Sequence, residues 1–203
     1  LWIGTFHGLA HRMLRRHWRE AGLPQSFQII DEDDQQRLVR KIIREQNLDE
    51  QRWVPREVQQ FINAHKDEGR RSKKLDDRGD PTRHQLIRLY ALYEARCEQA
   101  GVVDFAELLL RCYETLQNVP DLGAYYRERF RHILVDESQD TNGIQYDWLR
   151  LLAGKTGAPF VVGDDDQSIY RWRGARVENM QHFRREFGAT VHRLEQNYRT
   201  TQV

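Results

Sequence analysis

ILVDESQDTN, Ile133 to Asn142, is a short apolar run that stops abruptly on two acids. Together with His132 it reads as a buried strand of a parallel sheet, because such strands are covered on both faces and appear as near-continuous apolar runs. PFVVGDDD, Pro159 to Asp166, repeats the pattern, and TVHRLE, Thr190 to Glu195, is a weaker third copy. Helical spacing fills the intervals, from Ile144 to Leu152 behind Asn142 as a cap, and from Val177 to Phe187. The C-terminal third is therefore an α/β unit of βαβα type. Ligands of open α/β sheets bind outside the carboxyl ends of the strands, where the acids cluster.

Upstream the texture changes. From His7 to Phe130 apolar residues recur at helical spacing, as in Leu38, Ile42 and Ile43, or Leu86, Leu89, Tyr90 and Tyr93. Breaks fall at Gly22-Leu23-Pro24, at Pro55 in a first helical turn, and at Gly101 ahead of Asp104, which pairs with Glu107 as an N-terminal cap signal. KDEGRRSKKLDDRGDP, Lys66 to Pro81, mixes both charge signs with Gly and Pro and reads as a solvated loop. The opening LWIGTF reads as one more strand of the same sheet, which makes the helical region an insertion between sheet strands.

Composition narrows the classes. The 203 residues are 31% charged and 39% hydrophobic, as expected of a folded, helix-rich chain with a solvated surface. Lys plus Arg number 32 against 31 Asp plus Glu, so any nucleic-acid contact is local and not the work of a global basic field. Cys97 and Cys112 form no CxxC and no metal-ligand spacing, which fits a reducing cytoplasm. No apolar run is long enough for a membrane span, and LWIGTFHGLAHRM lacks signal-peptide order. The chain begins without Met and in mid-pattern, and is expected to be a piece of a longer one.

Four motifs carry chemistry. In ILVDESQDTN, adjacent acids at a strand tip, Asp136 and Glu137, point different ways, so one carboxylate can hold a magnesium ion while the other orients and deprotonates a water. An apolar strand ending in two acids also arises by chance, and Gln139 and Asp140 narrow the reading. In VVGDDDQSIYRWRGA, Val161 to Ala175, Asp164 and Gln167 lie near a strand end, where an amide can sense a terminal phosphate. Tyr170, Arg171, Trp172 and Arg173 then alternate aromatic and guanidinium, which suits single-stranded nucleic acid; burial in a core is the plain alternative, costly for the two Arg. In LEQNYRT, Leu194 to Thr200, Tyr198 can stack a base and Arg199 reach a phosphate. In GTFHGLAHRMLRR, Thr5 and His7 precede a helix with Arg12, Arg15, Arg16 and Arg19, suited to phosphate contact or to a solvated face. Gly154-Lys155-Thr156 only imitates a phosphate loop: the required earlier Gly is Leu149, and the tripeptide follows a helix, which it terminates.

Taken in order, TFHGLAHRMLR, VDFAELLLR, ILVDESQDTN, VVGDDDQSIYRWRGA and LEQNYRT resemble the superfamily-one helicases of the UvrD/Rep/PcrA group, with FINAHKDEG nearest its UvrD branch. The resemblance spans essentially the whole chain. It implies a partial RecA-like parallel sheet flanked by helices and interrupted by a large all-helical insertion subdomain. The segments would be residues 1–6, a strand of the first RecA-like domain; 7–130, the helical insertion; 131–196, the second half of that domain; and 197–203, the start of a second RecA-like domain.

The resemblance further implies an ATP-dependent 3'-5' DNA helicase and translocase of DNA repair or replication, cytoplasmic and associated with the nucleoid, using ATP and Mg2+. By position Asp136 matches the magnesium-associated acid, Glu137 the general base, and Gln167 the contact to the terminal phosphate. Tyr198 matches the adenine-stacking residue and Arg199 the arginine finger. Tyr170, Trp172 and Arg173 match single-strand DNA contacts, with His7 and Asp164 as further DNA-side positions.

Ser138 departs from the Phe usual there, and no Gly-rich phosphate loop occurs in the chain, so these residues alone are expected not to turn over ATP. Expected partners are single-stranded DNA, single/double-strand junctions and repair proteins, with no membrane; a raw sheet edge invites self-association. A non-catalytic DNA-binding or adaptor module that keeps helicase-like motifs is the alternative from another class, and a helicase-nuclease is a third.

Overall fold

The computed structural model describes residues 1–155, 157–164 and 178–193. Helix α1 (Phe6–Arg16) is followed by β1 (Gln28–Ile29), α2 (Glu32–Glu45), α3 (Pro55–Asp67), α4 (Pro81–Ala100) and β2 (Val102–Val103). Then come α5 (Phe105–Asn118), α6 (Pro120–Arg129), β3 (His132–Val135), α7 (Gly143–Ala153), β4 (Ala158–Val161) and α8 (Glu178–Phe187). Mixed helix and strand with small parallel sheets is thus the observed class.

The boundaries follow from local chemistry. Asp31, Asp80, Asp104 and Asn142 each cap a helix by accepting a backbone N–H in its first turn, and Pro55, Pro81 and Pro120 open helices where no donor is needed. Gly101 ends α4 in the left-handed conformation at φ 65°, and a Cβ there would lie 2.9 Å from the Pro24 ring. Only glycine meets both demands.

Three apolar cores organise the described residues. One joins α1, α5, α6 and α7 through Met13, Leu14, Leu109, Tyr126 and Trp148. A second joins α2, α3 and α4 through Ile43, Ile62, Tyr90 and Tyr93. The third, Val135, Leu149 and Phe183, places α7 and α8 against the strand pair, with Ile133 and Val161 packed onto it. β3 and β4 run parallel, Leu134 opposite Phe160 and Val135 opposite Val161.

Several expectations need correction. The 7–130 stretch is not all-helical: β1 and β2 pair in parallel, Gln28 with Val102 and Ile29 with Val103, fastened by Ile30 N donating to Val103 O at 2.9 Å. Two-residue strands bury too little to leave a periodic trace in sequence. Residues 1–5 form no strand, and Phe6 already begins α1, with Thr5 Oγ1 accepting from Gly8 N at 3.1 Å. A serviceable N-cap thus wins over continuation of the apolar run. Residues 190–193 form no strand either. β3 and β4 are covered on one face only, since Leu134 is 75% and Phe160 60% exposed, alternating with the buried Val135 and half-buried Ile133 and Val161.

The Lys66–Pro81 stretch is not simply a solvated loop. Lys66 and Ser72 are buried, the former at the end of α3 and the latter in a short 3-10 turn, and Lys66 and Arg71 are paired with acids from other helices.

Candidate functional site

β3 ends at Val135, and the chain then turns through Asp136 and Glu137 into a single 3-10 turn, Ser138–Asp140, before α7. Both acids are exposed. Glu137 sits in the left-handed region at φ 52°, ψ 42°, a conformation that costs a non-glycine residue about 1–3 kcal/mol and persists where surroundings enforce it. The enforcing contacts are visible. Asp136 Oδ1 accepts from Glu137 N at 2.9 Å, Ser138 N donates to Val162 O at 3.0 Å, and Asp140 N donates to Glu137 O at 3.0 Å.

Gln139 ties this turn to the end of β4. Its side chain is 1% exposed; Nε2 donates to Glu137 Oε2 at 2.6 Å, while Oε1 accepts from Asp164 N at 3.1 Å. A Cβ on Gly163 would meet Ser138 Oγ at 2.4 Å and Gln139 Oε1 at 2.7 Å, so glycine is what lets the two strand ends close on each other. The buried Ser138 lies directly against that glycine, and a Phe at 138 would require different packing. Asp136, Glu137 and Asp164 are therefore brought together at the carboxyl ends of adjacent parallel strands. Gln139 had been read only as supporting the motif; its burial and its two contacts become visible only once the strands are paired.

The donor set fits a hard divalent cation that takes most of its ligands elsewhere. No cluster of three or more His, Cys, Asp or Glu that could hold a metal occurs among the described residues. A magnesium ion commonly keeps several waters and takes one or two carboxylates plus substrate phosphate. Asp136 is exposed with one oxygen engaged by Glu137 N, and Asp140 Oδ1 is buried with no hydrogen-bond partner among the described residues.

His7 stands apart, in the first turn of α1, its ring edge-on to Phe105 at 6.3 Å between centroids. Burial lowers its pKa, favouring the neutral ring, so it suits hydrogen bonding more than ion pairing. The arginines of α1, and Arg19 in the turn beyond its end, are drawn onto aromatics: Arg12 lies 4.3 Å and Arg16 5.3 Å from the Trp2 ring centroid, Arg15 3.7 Å from Phe27 and Arg19 4.9 Å from Trp18. Gln167, Tyr170, Trp172, Arg173, Tyr198 and Arg199 lie outside the described residues. Gly154 does terminate α7, at φ 56° with its N–H bonded to Arg150 O, as a turn and not a phosphate loop. A cavity of about 960 Å3 opens beside it, lined in part by Arg127, Arg131, His132, Arg150 and Lys155. It borders the first residues of β3 and β4 and excludes the acid pair, so the cavity and the chemistry are at opposite strand ends.

Sequence reasoning missed a second charged cluster. Lys66 Nζ lies 2.6 Å from Asp104 Oδ2 and 2.9 Å from Glu107 Oε2; Tyr93 Oη donates to Asp104 Oδ2 at 2.7 Å. Arg71 grips Glu107 through two bonds of 2.8 Å and reaches Glu114 at 2.6 Å. Burial opposes the charge on both Lys66 and Glu107, and their mutual attraction with the neighbouring groups outweighs it, raising the Lys66 pKa and lowering that of Glu107. A signal was available: Val58, Ile62 and Lys66 are spaced by four, so Lys66 continues the buried stripe of α3.

The UvrD/REP helicase N-terminal domain matches residues 1–188. The chain is 56% identical over 202 residues to DNA helicase II of Salmonella typhimurium and, equally, to that of Escherichia coli, covering 99% of the chain and 28% of each relative. It is 37% identical over 204 residues to the ATP-dependent DNA helicase PcrA of Leuconostoc citreum, covering 100% of the chain and 27% of that protein. The chain thus spans little more than a quarter of the curated relatives it matches. With its parallel strand pair and acid turn in the matched segment, it belongs to the UvrD/REP helicase N-terminal domain family.

Proposed function

We propose that the complete protein carrying this chain is an ATP-dependent 3'-5' DNA helicase and translocase acting in DNA repair or replication. The observation that carries this reading is the acid turn, in which an exposed Glu137 in a left-handed backbone is held by Gln139, itself bonded to Asp164 on the next strand end. Glu137 is the general base that takes a proton from the attacking water. Gln139 fixes its carboxylate through a neutral amide, leaving the base uncompensated by any cation among the described residues. Asp136 holds Mg2+, which when bound neutralises charge on the phosphates.

The remaining roles extend the same reading. Gln167 contacts the terminal phosphate of ATP, Tyr198 stacks on the adenine, and Arg199 stabilises developing charge. Tyr170, Trp172 and Arg173 stack and hold single-stranded DNA, with His7 and Asp164 as further DNA-side contacts. Because Asp164 N is bonded to Gln139, a shift at Asp164 reaches Glu137 through one side chain. Residues 1–6 and 131–196 belong to the first RecA-like domain, 7–130 to an inserted subdomain and 197–203 to the second domain. The 203 residues contain no Gly-rich phosphate loop, so by themselves they do not turn over ATP. The protein works in the cytoplasm at the nucleoid, on single-stranded DNA and single/double-strand junctions alongside repair proteins. The isolated piece self-associates through the open β3–β4 pair.

Glu137→Gln in the complete protein tests the base assignment. Turnover is expected to fall by about 10²–10⁴-fold with nucleotide affinity retained. Unchanged turnover overturns the assignment.

A further inference from the structure

The segment that ends α3 is seated on the first residues of α7. The Asp67 carboxylate accepts a hydrogen bond from the Asn142 side chain. A Cβ on Gly143 would lie 3.2 Å from Asp67 O and 3.7 Å from Glu68 Cα, and one on Gly69 would lie 3.4 Å from Ile144 Cδ1. Residues 67–69 thus pack against Asn142, Gly143 and Ile144, with the tightest approach at Gly143.

Asn142 is the last residue of the acid turn and the cap of α7. Its Oδ1 accepts from Gln145 N at 3.0 Å, and Gln145 Oε1 accepts from Asn142 N at 3.0 Å, a complete capping box. With Oδ1 committed to the cap, its amide is what faces Asp67. On the other side Asp67 adjoins Lys66, which is locked to Asp104 and Glu107 of α5. Thr141, next to the cap, is bonded back to Ser138 O through both N and Oγ1, and Ser138 adjoins Glu137.

We infer that Asp67 is a positioning residue for the acid pair, docking the ion-clustered helical region onto Asn142 and so fixing where the turn holding Glu137 ends. The inference rests on the function proposed above. Its cause is geometric: a reacting group displaced by about 1 Å can lose on the order of a hundredfold in rate.

The groups facing Asp67 are Asp104 from α5, Lys66 beside it on α3, and from α7 the neutral amide of Asn142. Burial and then Asp104 raise the Asp67 carboxyl to about 7 against the lowering bond from Asn142; an acid at 142 removes that bond and adds a like charge, so the two carboxylates are both ionised and repel only at pH values well above 7.

The test is a swap in the complete protein, with single-stranded-DNA-stimulated ATP turnover and thermal unfolding both measured at pH 6 and pH 8.5. Asn142→Asp keeps an equally good N-cap but sets carboxylate against carboxylate. It is expected to slow turnover about tenfold at pH 8.5 and to recover at pH 6, where Asp67 is protonated and can donate. Asp67→Asn alone changes turnover less than about twofold, and Asp67→Asn with Asn142→Asp restores the rate at both pH values, because amide and carboxylate have merely exchanged sides. If Asn142 is only a cap, Asn142→Asp is harmless at both pH values; if the swap stays as slow as Asn142→Asp, no contact with Asp67 is at work. Either result overturns the inference. Failure of the functional reading is separate, appearing as Glu137→Gln with normal turnover, and the unfolding temperatures of the same variants then still report the contact.

Discussion

Asp104 and Glu107 sit buried against Lys66 and Arg71, every oxygen facing a donor, whereas Asp136 and Glu137 stand exposed at the end of β3 with no cation paired to them among the described residues. The first pair is consumed by structure: ionised acids cannot be taken out of water without partners, and the fold supplies them. The second pair is held by backbone N–H groups and a glutamine amide, which orient a carboxylate without neutralising it. A strained backbone is tolerated at Glu137, while near Lys66 helix α5 is capped by Asp104, which accepts from Glu107 N in ordinary extended backbone. Acids that stabilise a fold and acids available for chemistry are thus separable by what faces them.

The largest way to break this contrast is Lys66→Met, which removes the cation bonded to the buried Asp104 and leaves Glu107 with Arg71 and Arg111 alone. A loss of about 3–5 kcal/mol in unfolding free energy is expected, read by denaturant titration of the complete protein. A loss below about 1 kcal/mol would place the cluster with surface ion pairs and erase the distinction.

A smaller, pH-dependent effect comes from Asp67, which lies between the two regions. Its folded pKa is raised from 3.8 to about 7, first by burial and then by Asp104. The folded state therefore holds a proton that the unfolded chain has released between those values, so this group's contribution falls as pH rises from about 4 to 7 and is flat above. Asp67→Asn is expected to match the wild type near pH 4 and to exceed it at pH 8 by up to a few kcal/mol. A constant difference across that range would contradict the placement of Asp67.

Much of the site was legible before any coordinates, because the acid turn is local: an apolar strand, two acids and a capping Asn are contiguous, and β3, β4 and α7 appear where periodicity places them. What depended on distance was not legible. Lys66 and Asp104 are 38 residues apart, and a stretch rich in both charge signs looks solvated until helices α3 and α5 are packed. The β1–β2 pair failed for the same reason, since its partners meet only across three helices. Gln139 lay inside the motif, yet its bond to Asp164 requires the register of β3 on β4.

The smallest stability effect belongs to Glu137, the residue proposed as general base, and that asymmetry is the most direct test. Glu137→Gly in the complete protein relieves the left-handed strain at φ 52° and forfeits the part-buried hydrogen bond from the Gln139 amide. The strain relief and the loss of that bond are each about 1–3 kcal/mol and opposed, so net stability should change by no more than about 2 kcal/mol. ATP turnover measured on the same preparation should fall by about two orders of magnitude or more. Retained turnover, or a stability loss above about 3 kcal/mol that accounts for lost turnover by unfolding, would show that Glu137 serves the fold and not the reaction.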